Sequence, residues 1–210
     1  MANGHEYAIL GGYNRAKVGR YLAHFSATLS AAFVFVLLSA VNFAKHFGVS
    51  VNLPPIVMSL LGAASIYGIL YWAFDNYAWR VVRVSRFLNV PNLAGTWRCD
   101  GVSEDKQPPV PWTGQVVIVQ SWDKIRIHLQ TAQSSSDSVA AALLDDSPVG
   151  FKLMYHYKNL PKPGEPADLA AHHGFAELTF SADGATALGG YFNGRGRGTH
   201  GTMRLTKEAN

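Results

Sequence analysis

Residues 21–43 and 53–74 of this 210-residue chain form two apolar runs in close succession, neither containing an Asp, Glu, Lys or Arg. A helix needs about 20 residues to cross the hydrocarbon core of a bilayer, and each run is long enough. From about residue 90 the pattern changes to short alternating segments. The chain is therefore expected to join a two-helix membrane anchor to a small β domain.

The charges agree with that plan. Arg15, Lys17 and Arg20 precede the first run, Arg80, Arg83 and Arg86 follow the second, and the connection between them holds only Lys45 and His46. This is the positive-inside pattern, which predicts that both termini are cytoplasmic. A net charge of +4 thus reads as headgroup contact and topology rather than nucleic-acid binding. The first run ends in Leu38-Ser39-Ala40, a tolerable cleavage site for a signal peptide. Its apolar core exceeds the usual signal length of about 7–15 residues and a second run follows, so an uncleaved anchor is expected. Cys99 is the one cysteine, which excludes an intrachain disulfide and suits a reducing compartment.

The first helix is expected over residues 21–44 and the second from Pro54-Pro55 to about Asp75. Tyr21, Tyr71, Trp72, Tyr77 and Trp79 fall near the membrane interfaces, where aromatic belts form. Ser26 with Ser30, and Ala64 with Gly68, are small residues four apart that allow close helix approach. They serve either an intramolecular hairpin or self-assembly. With two helices and no charge at mid-bilayer, a transporter or pump is not indicated.

Beyond the anchor, eight strands are expected at about residues 93–103, 112–120, 122–130, 136–144, 149–157, 172–180, 185–192 and 199–206. In the third, Ile125, Ile127 and Leu129 oppose Lys124, Arg126 and His128. In the fifth, Phe151, Leu153, Tyr155 and Tyr157 oppose Lys152 and His156. One apolar and one polar face argue for a soluble barrel or sandwich. The expected fold is two N-terminal transmembrane α-helices plus an all-β C-terminal domain, a small eight-stranded antiparallel up-and-down barrel of lipocalin-like type. Its parts are a lead over residues 1–20, the anchor over 21–76, a basic linker over 77–90 and the barrel over 91–207. Gly95-Thr96-Trp97 in the first strand and Arg204 in the last match the pair that closes one end of lipocalin-like barrels. Trp97 is expected in the core.

A string of features in the β half is specific when taken together. It runs from Leu93-Ala-Gly-Thr-Trp97 through Gln120-Ser-Trp122, Thr131 and Ser134-Ser-Ser-Asp-Ser138. It continues with Leu153-Met-Tyr-His-Tyr-Lys-Asn159, His173-Gly174, Gly190-Tyr-Phe192, Arg195 and Gly201-Thr-Met203. Behind two apolar runs, this resembles the two-transmembrane β-barrel effectors of CBASS antiphage systems (the SMODS-associating 2TM, β-strand-rich effector domain). The resemblance implies that a synthase makes a cyclic dinucleotide on infection and that the cytoplasmic barrel binds it. The helices then assemble as a homo-oligomer, the inner membrane is disrupted and the cell dies. It also admits the opposite sign, in which the ligand restrains the effector.

A cyclic dinucleotide needs donors for its phosphates and flat side chains for its bases. The candidate binding residues are Trp122, Ser134, Ser136, Tyr155, Tyr157, Asn159, His173, Tyr191, Arg195 and Arg197. Tyr155, Tyr157 and Trp122 equally fit core positions, and the serine run equally fits a turn. Gly194-Arg-Gly-Arg-Gly198 fits either a phosphate clamp or a solvated hairpin. The adjacent His172 and His173 point to opposite faces of a strand, so no metal site is expected. No nucleophile elbow, carboxylate pair or P-loop is present, so no enzyme and no cofactor are expected. Two other readings stand beside the effector: a membrane-tethered barrel for lipid or another apolar ligand, and a filled barrel acting as a structural adaptor.

Overall fold

The computed structural model describes residues 4–48, 54–105, 107–145, 150–165, 169–194 and 198–208. The chain forms two compact units, Tyr13–Trp79 and the combination of Met1–Gly12 with Arg80–Asn210.

In the helical unit, α1 spans Arg15–His46. Asn14 caps it, its side chain accepting from the Ala16 N–H at 2.7 Å, and Lys45 and His46 occupy the last turn, where cations suit the helix dipole. The second apolar run departs from expectation, because it is two helices, α2 over Pro55–Leu60 and α3 over Ala63–Asn76. Gly62 between them is extended (φ −62°, ψ 149°), at a residue with poor helix propensity. The break frees the Leu61 carbonyl, and the Ser30 hydroxyl of α1 donates to it. In lipid such a carbonyl has no water to turn to, and a neighbouring serine is a usual remedy. Ser26 and Ser30 are both buried, which assigns this pair to packing within the helical unit. Ala64 and Gly68 face outward. Among the described residues, α1 is the one helix long and apolar enough to cross a membrane. The 14 residues of α3 reach only about 21 Å.

In the other unit, α4 spans Val82–Leu88, and a closed barrel contains all eight expected strands. These are β2 Gly95–Ser103, β3 Val110–Gln120, β4 Lys124–Thr131, β5 Ser134–Asp145, β6 Phe151–Pro161, β7 His172–Phe180, β8 Thr186–Asn193 and β9 His200–Lys207. A further strand, β1 (His5–Leu10), comes from the lead segment. It pairs antiparallel with β4 at His5↔Ile125 and parallel with β5 from Tyr7↔Ala141 to Leu10↔Leu144. The barrel described is therefore nine-stranded and mixed rather than eight-stranded and antiparallel. The cause lies in β4 and β5, which pair with each other only beside their hairpin, from His128↔Asp137 to Gln130↔Ser135. A register shift between Ser138 and Ala140 interrupts the regular pairing of β5, and β1 fills the seam beyond it. The Ser138 hydroxyl accepts from the Ile127 N–H at 2.9 Å and lies 2.7 Å from His5 Nε2.

One end of the barrel is packed solid. Trp97 meets Phe180 edge-on at 5.3 Å and donates from Nε1 to the Leu93 carbonyl at 3.2 Å. Gln120 accepts from Leu93 N–H at 2.8 Å and donates to the Pro91 carbonyl at 3.2 Å and to the Tyr7 hydroxyl at 3.3 Å. The basic residue against Trp97 is Lys207, its ammonium 5.2 Å from the ring centroid, whereas Arg204 points outward on the other face of β9. The alternation of β9 decides this: Met203 and Leu205 are buried, so Arg204 between them is not.

Cys99 lies in this core with its thiol pushed up to about 12, by burial and then by the neighbouring Asp100 charge. The thiolate is the reactive form, so the folded chain should resist alkylation at pH 8. Mass spectrometry after iodoacetamide treatment should show modification of Cys99 only as urea opens the barrel. Rapid labelling of the folded chain would contradict this burial.

Candidate ligand-binding site

The opposite end of the barrel is hollow. A cavity of about 350 Å³ lies among the C-terminal ends of β2, β6 and β8 and the N-terminal ends of β3, β5, β7 and β9. That is within the range of roughly 300–1,000 Å³ usual for small-molecule sites. Strand alternation supplies its walls. Trp112 on β3, Tyr155, Tyr157 and Asn159 on β6, His172 on β7, Tyr191 on β8 and Met203 on β9 all line it.

Two glycines make room for its rings. A side chain at Gly101 would collide with the indole of Trp112, and one at Gly174 would collide with the ring of Tyr157. Trp112 Nε1 donates to the Tyr191 hydroxyl at 3.1 Å, which also lies 2.9 Å from the Ser103 hydroxyl. The Tyr157 hydroxyl donates to Asn193 Oδ1 at 2.8 Å, and Asn193 donates onward to Thr199. These networks hold three flat aromatic rings around a polar space.

Another lining group is left open. Asn159 donates from Nδ2 to the Ser134 hydroxyl at 3.0 Å, but its buried Oδ1 has no hydrogen-bond partner among the described residues. The hydroxyls of Ser136 and Tyr155 line the same cavity, in residues only 5% and 3% exposed. Burial raises the Tyr155 phenol well above its usual range, with Tyr157 and Cys99 adding to the effect, so the group stays protonated and able to donate. The open Asn159 Oδ1 is an acceptor that a bound molecule can satisfy. Among the described lining residues there is no Lys or Arg, and the one carboxylate is Asp105.

Six residues singled out in the sequence meet here: Ser134, Ser136, Tyr155, Tyr157, Asn159 and Tyr191. Two do not. Trp122 is fully buried at the β3–β4 turn, at the packed end. His173 points outward and stacks on His156 at 5.1 Å, so His172 is the member of the pair that faces in. Arg195 and Arg197 lie outside the described residues. Trp112, His172 and Asn193 were not singled out. Each follows from strand phase: Trp112 shares the face of Val116 and Ile118, and His172 that of Ala176 and Leu178. No group of His, Cys, Asp and Glu able to hold a metal occurs among the described residues.

Comparison with known families accounts for both units. Residues 88–207 match "Cap15, cyclic dinucleotide receptor domain", and residues 16–80 match "Cap15, TM helices". The chain belongs to the Cap15 family. It is 45% identical over 203 residues to CD-NTase-associated protein 15 of Yersinia aleksiciae, covering 97% of both chains. As a Cap15-family CBASS effector, it combines a cyclic dinucleotide receptor domain with membrane helices and belongs to no known enzyme family. The cyclic dinucleotide is a signalling ligand rather than a cofactor.

Proposed function

We propose that the hollow end of the barrel is where the cyclic dinucleotide binds, and that its binding controls assembly and membrane disruption by the helical unit. The observation that carries the site is the buried, unpartnered Asn159 Oδ1, beside the hydroxyls of Ser136 and Tyr155, in a cavity walled by Trp112, Tyr157 and Tyr191. Aromatic faces suit bases, and open polar groups suit their edges. An apolar ligand would leave the Asn159 Oδ1 unsatisfied at a cost of about 1–3 kcal/mol. The ligand comes from a cognate cyclic-nucleotide synthase.

The helical unit serves as a hairpin in the inner membrane, with both chain ends and the barrel cytoplasmic. The basic clusters at residues 15–20 and 80–86 support this orientation. Assembly of several copies disrupts the bilayer and kills the infected cell.

The test uses the full chain in dye-loaded liposomes and in detergent micelles. Calorimetric titration with a panel of cyclic dinucleotides should give one tight binder, with linear dinucleotides inert. Met203→Trp, which fills the cavity, should reduce affinity by about 100-fold or more, because the ligand loses its space. Ser26→Leu, which forces α1 from its neighbour, should leave affinity unchanged and reduce ligand-controlled dye release about tenfold or more. Whether the ligand starts or stops the release reads its sign. Full affinity in Met203→Trp would move the ligand out of this cavity.

A further inference from the structure

We infer that Asn159 is the residue that determines base specificity, taking an N–H of one nucleobase on its open Oδ1 while Ser136 donates to the neighbouring acceptor on the same base edge. The inference rests on the assignment of the cavity as the ligand site and adds which part of the ligand enters it and what reads it.

Three observations support the assignment. The first is placement. Ser136, Asn159 and His172 are register partners across β5, β6 and β7, so they form one inward row on three adjacent strands. Side chains opposite one another on antiparallel strands have Cβ atoms about 4.5–5.5 Å apart, near enough for their polar ends to converge on one base edge.

The second is orientation. The Asn159 amide is fixed by its bond to Ser134, whose own backbone N–H is held by Thr131 Oγ1 at 3.1 Å. The carbonyl end is thereby aimed while lacking a partner, at a residue 9% exposed. An acceptor held in this way selects for a donor, because a ligand without one leaves it buried and unpaired.

The third is charge. Among the described lining residues no Lys or Arg is present, and Asp105 disfavours an anion. Among these described residues a phosphate meets no cation, whereas a neutral base edge meets an acceptor and a hydroxyl. Phosphate contacts position a nucleotide and base contacts specify it, and this row is built for the second task.

The test is a double comparison on the full chain in detergent. Wild-type protein is titrated with the homodimeric cyclic dinucleotides of adenine, guanine, uracil and cytosine. The tightest binder is then compared with its analogue in which every Watson–Crick-edge N–H is replaced by N-methyl (N6,N6-dimethyl for adenine, N4,N4-dimethyl for cytosine, N3-methyl for uracil, N1-methyl with N2,N2-dimethyl for guanine), which removes the donor. Methylation should weaken wild-type binding about 5- to 150-fold, the value of a good base-edge contact. Asn159→Leu should lose a similar factor for the unmethylated ligand and bind both forms nearly equally. Asn159→Asp, which keeps an acceptor at that position, should retain the methylation penalty, and it serves as the nearly isosteric variant if the leucine substitution fails to fold.

Equal weakening of both ligands by Asn159→Leu, with the methylation penalty intact, would overturn the inference and reduce Asn159 to a wall residue. Failure of wild-type protein to bind any member of the panel would overturn the cavity assignment beneath it, a separate result seen before any variant is made.

Discussion

A chain lacking residues 1–12 is expected to lose most of its barrel stability. β1 supplies six register pairs, two with β4 and four with β5. Without it, the β5 edge from Ala141 to Leu144 loses its partner and presents unpaired backbone groups beside apolar side chains. Tyr7, now 2% exposed, leaves the core, and its hydroxyl no longer meets Gln120 or the Ser121 carbonyl. One buried aromatic is worth about 2 kcal/mol and each ladder hydrogen bond about 1 kcal/mol, so the total is on the order of 5 kcal/mol. For a barrel of this size the melting temperature should fall by about 10–20 °C. Urea unfolding of residues 80–208 with and without the leading segment measures this directly. A peptide of residues 4–12 added in trans should restore part of the loss by strand addition. Equal unfolding midpoints for the two chains would mean that β1 is an ornament on an otherwise closed sheet.

Trp97→Ala is expected to cost nearly as much from the other side of the same end. The indole is fully buried, packs on Phe180, donates to Leu93 and lies beneath Lys207. Truncating a buried tryptophan costs about 3–5 kcal/mol through lost transfer energy and the cavity left behind. Trp97→Phe keeps an aromatic against Phe180 but loses the bond to Leu93, and should cost about 1–2 kcal/mol. Chemical denaturation of the two variants should preserve that order. A loss below about 1 kcal/mol for the alanine variant would show that the packed end relaxes around the gap.

The barrel was legible in the sequence because soluble strands with one wet face write their phase directly. Ile125 and Ile127 alternate with Lys124, Arg126 and His128, and each of the eight expected strands occurs within a few residues of its expected place. β1 was not legible, because it is six residues long, only Tyr7 is buried, and its parallel partner lies more than 130 residues away. The break at Gly62 escaped for a different reason: hydropathy measures side chains, and the break is a backbone event in a uniformly apolar run. Within the site, the six candidates on β5, β6 and β8 all line the cavity: polar or aromatic character singles them out in the sequence, and strand phase turns them inward. His173 faces outward, and counting back from Phe180 and Leu178 puts His172 on the inward phase.

The order of the units along the chain has a consequence of its own. The barrel begins before the helical unit and resumes after it, so residues 13–79 are an insertion within another domain. An appended anchor is joined at one point and can trail like a string. An inserted one is held at both ends like a handle, and any change of shape in its host reaches it through two covalent joints at once. The host need not lose its continuity when the handle is removed. A side chain at Gly12 would stand 3.3 Å from the carbonyls of both Leu88 and Asn89, so the exit point of the chain already lies beside a later part of the same unit. Splicing residue 12 to residue 89 would convert the protein into a one-domain receptor with all nine strands in place.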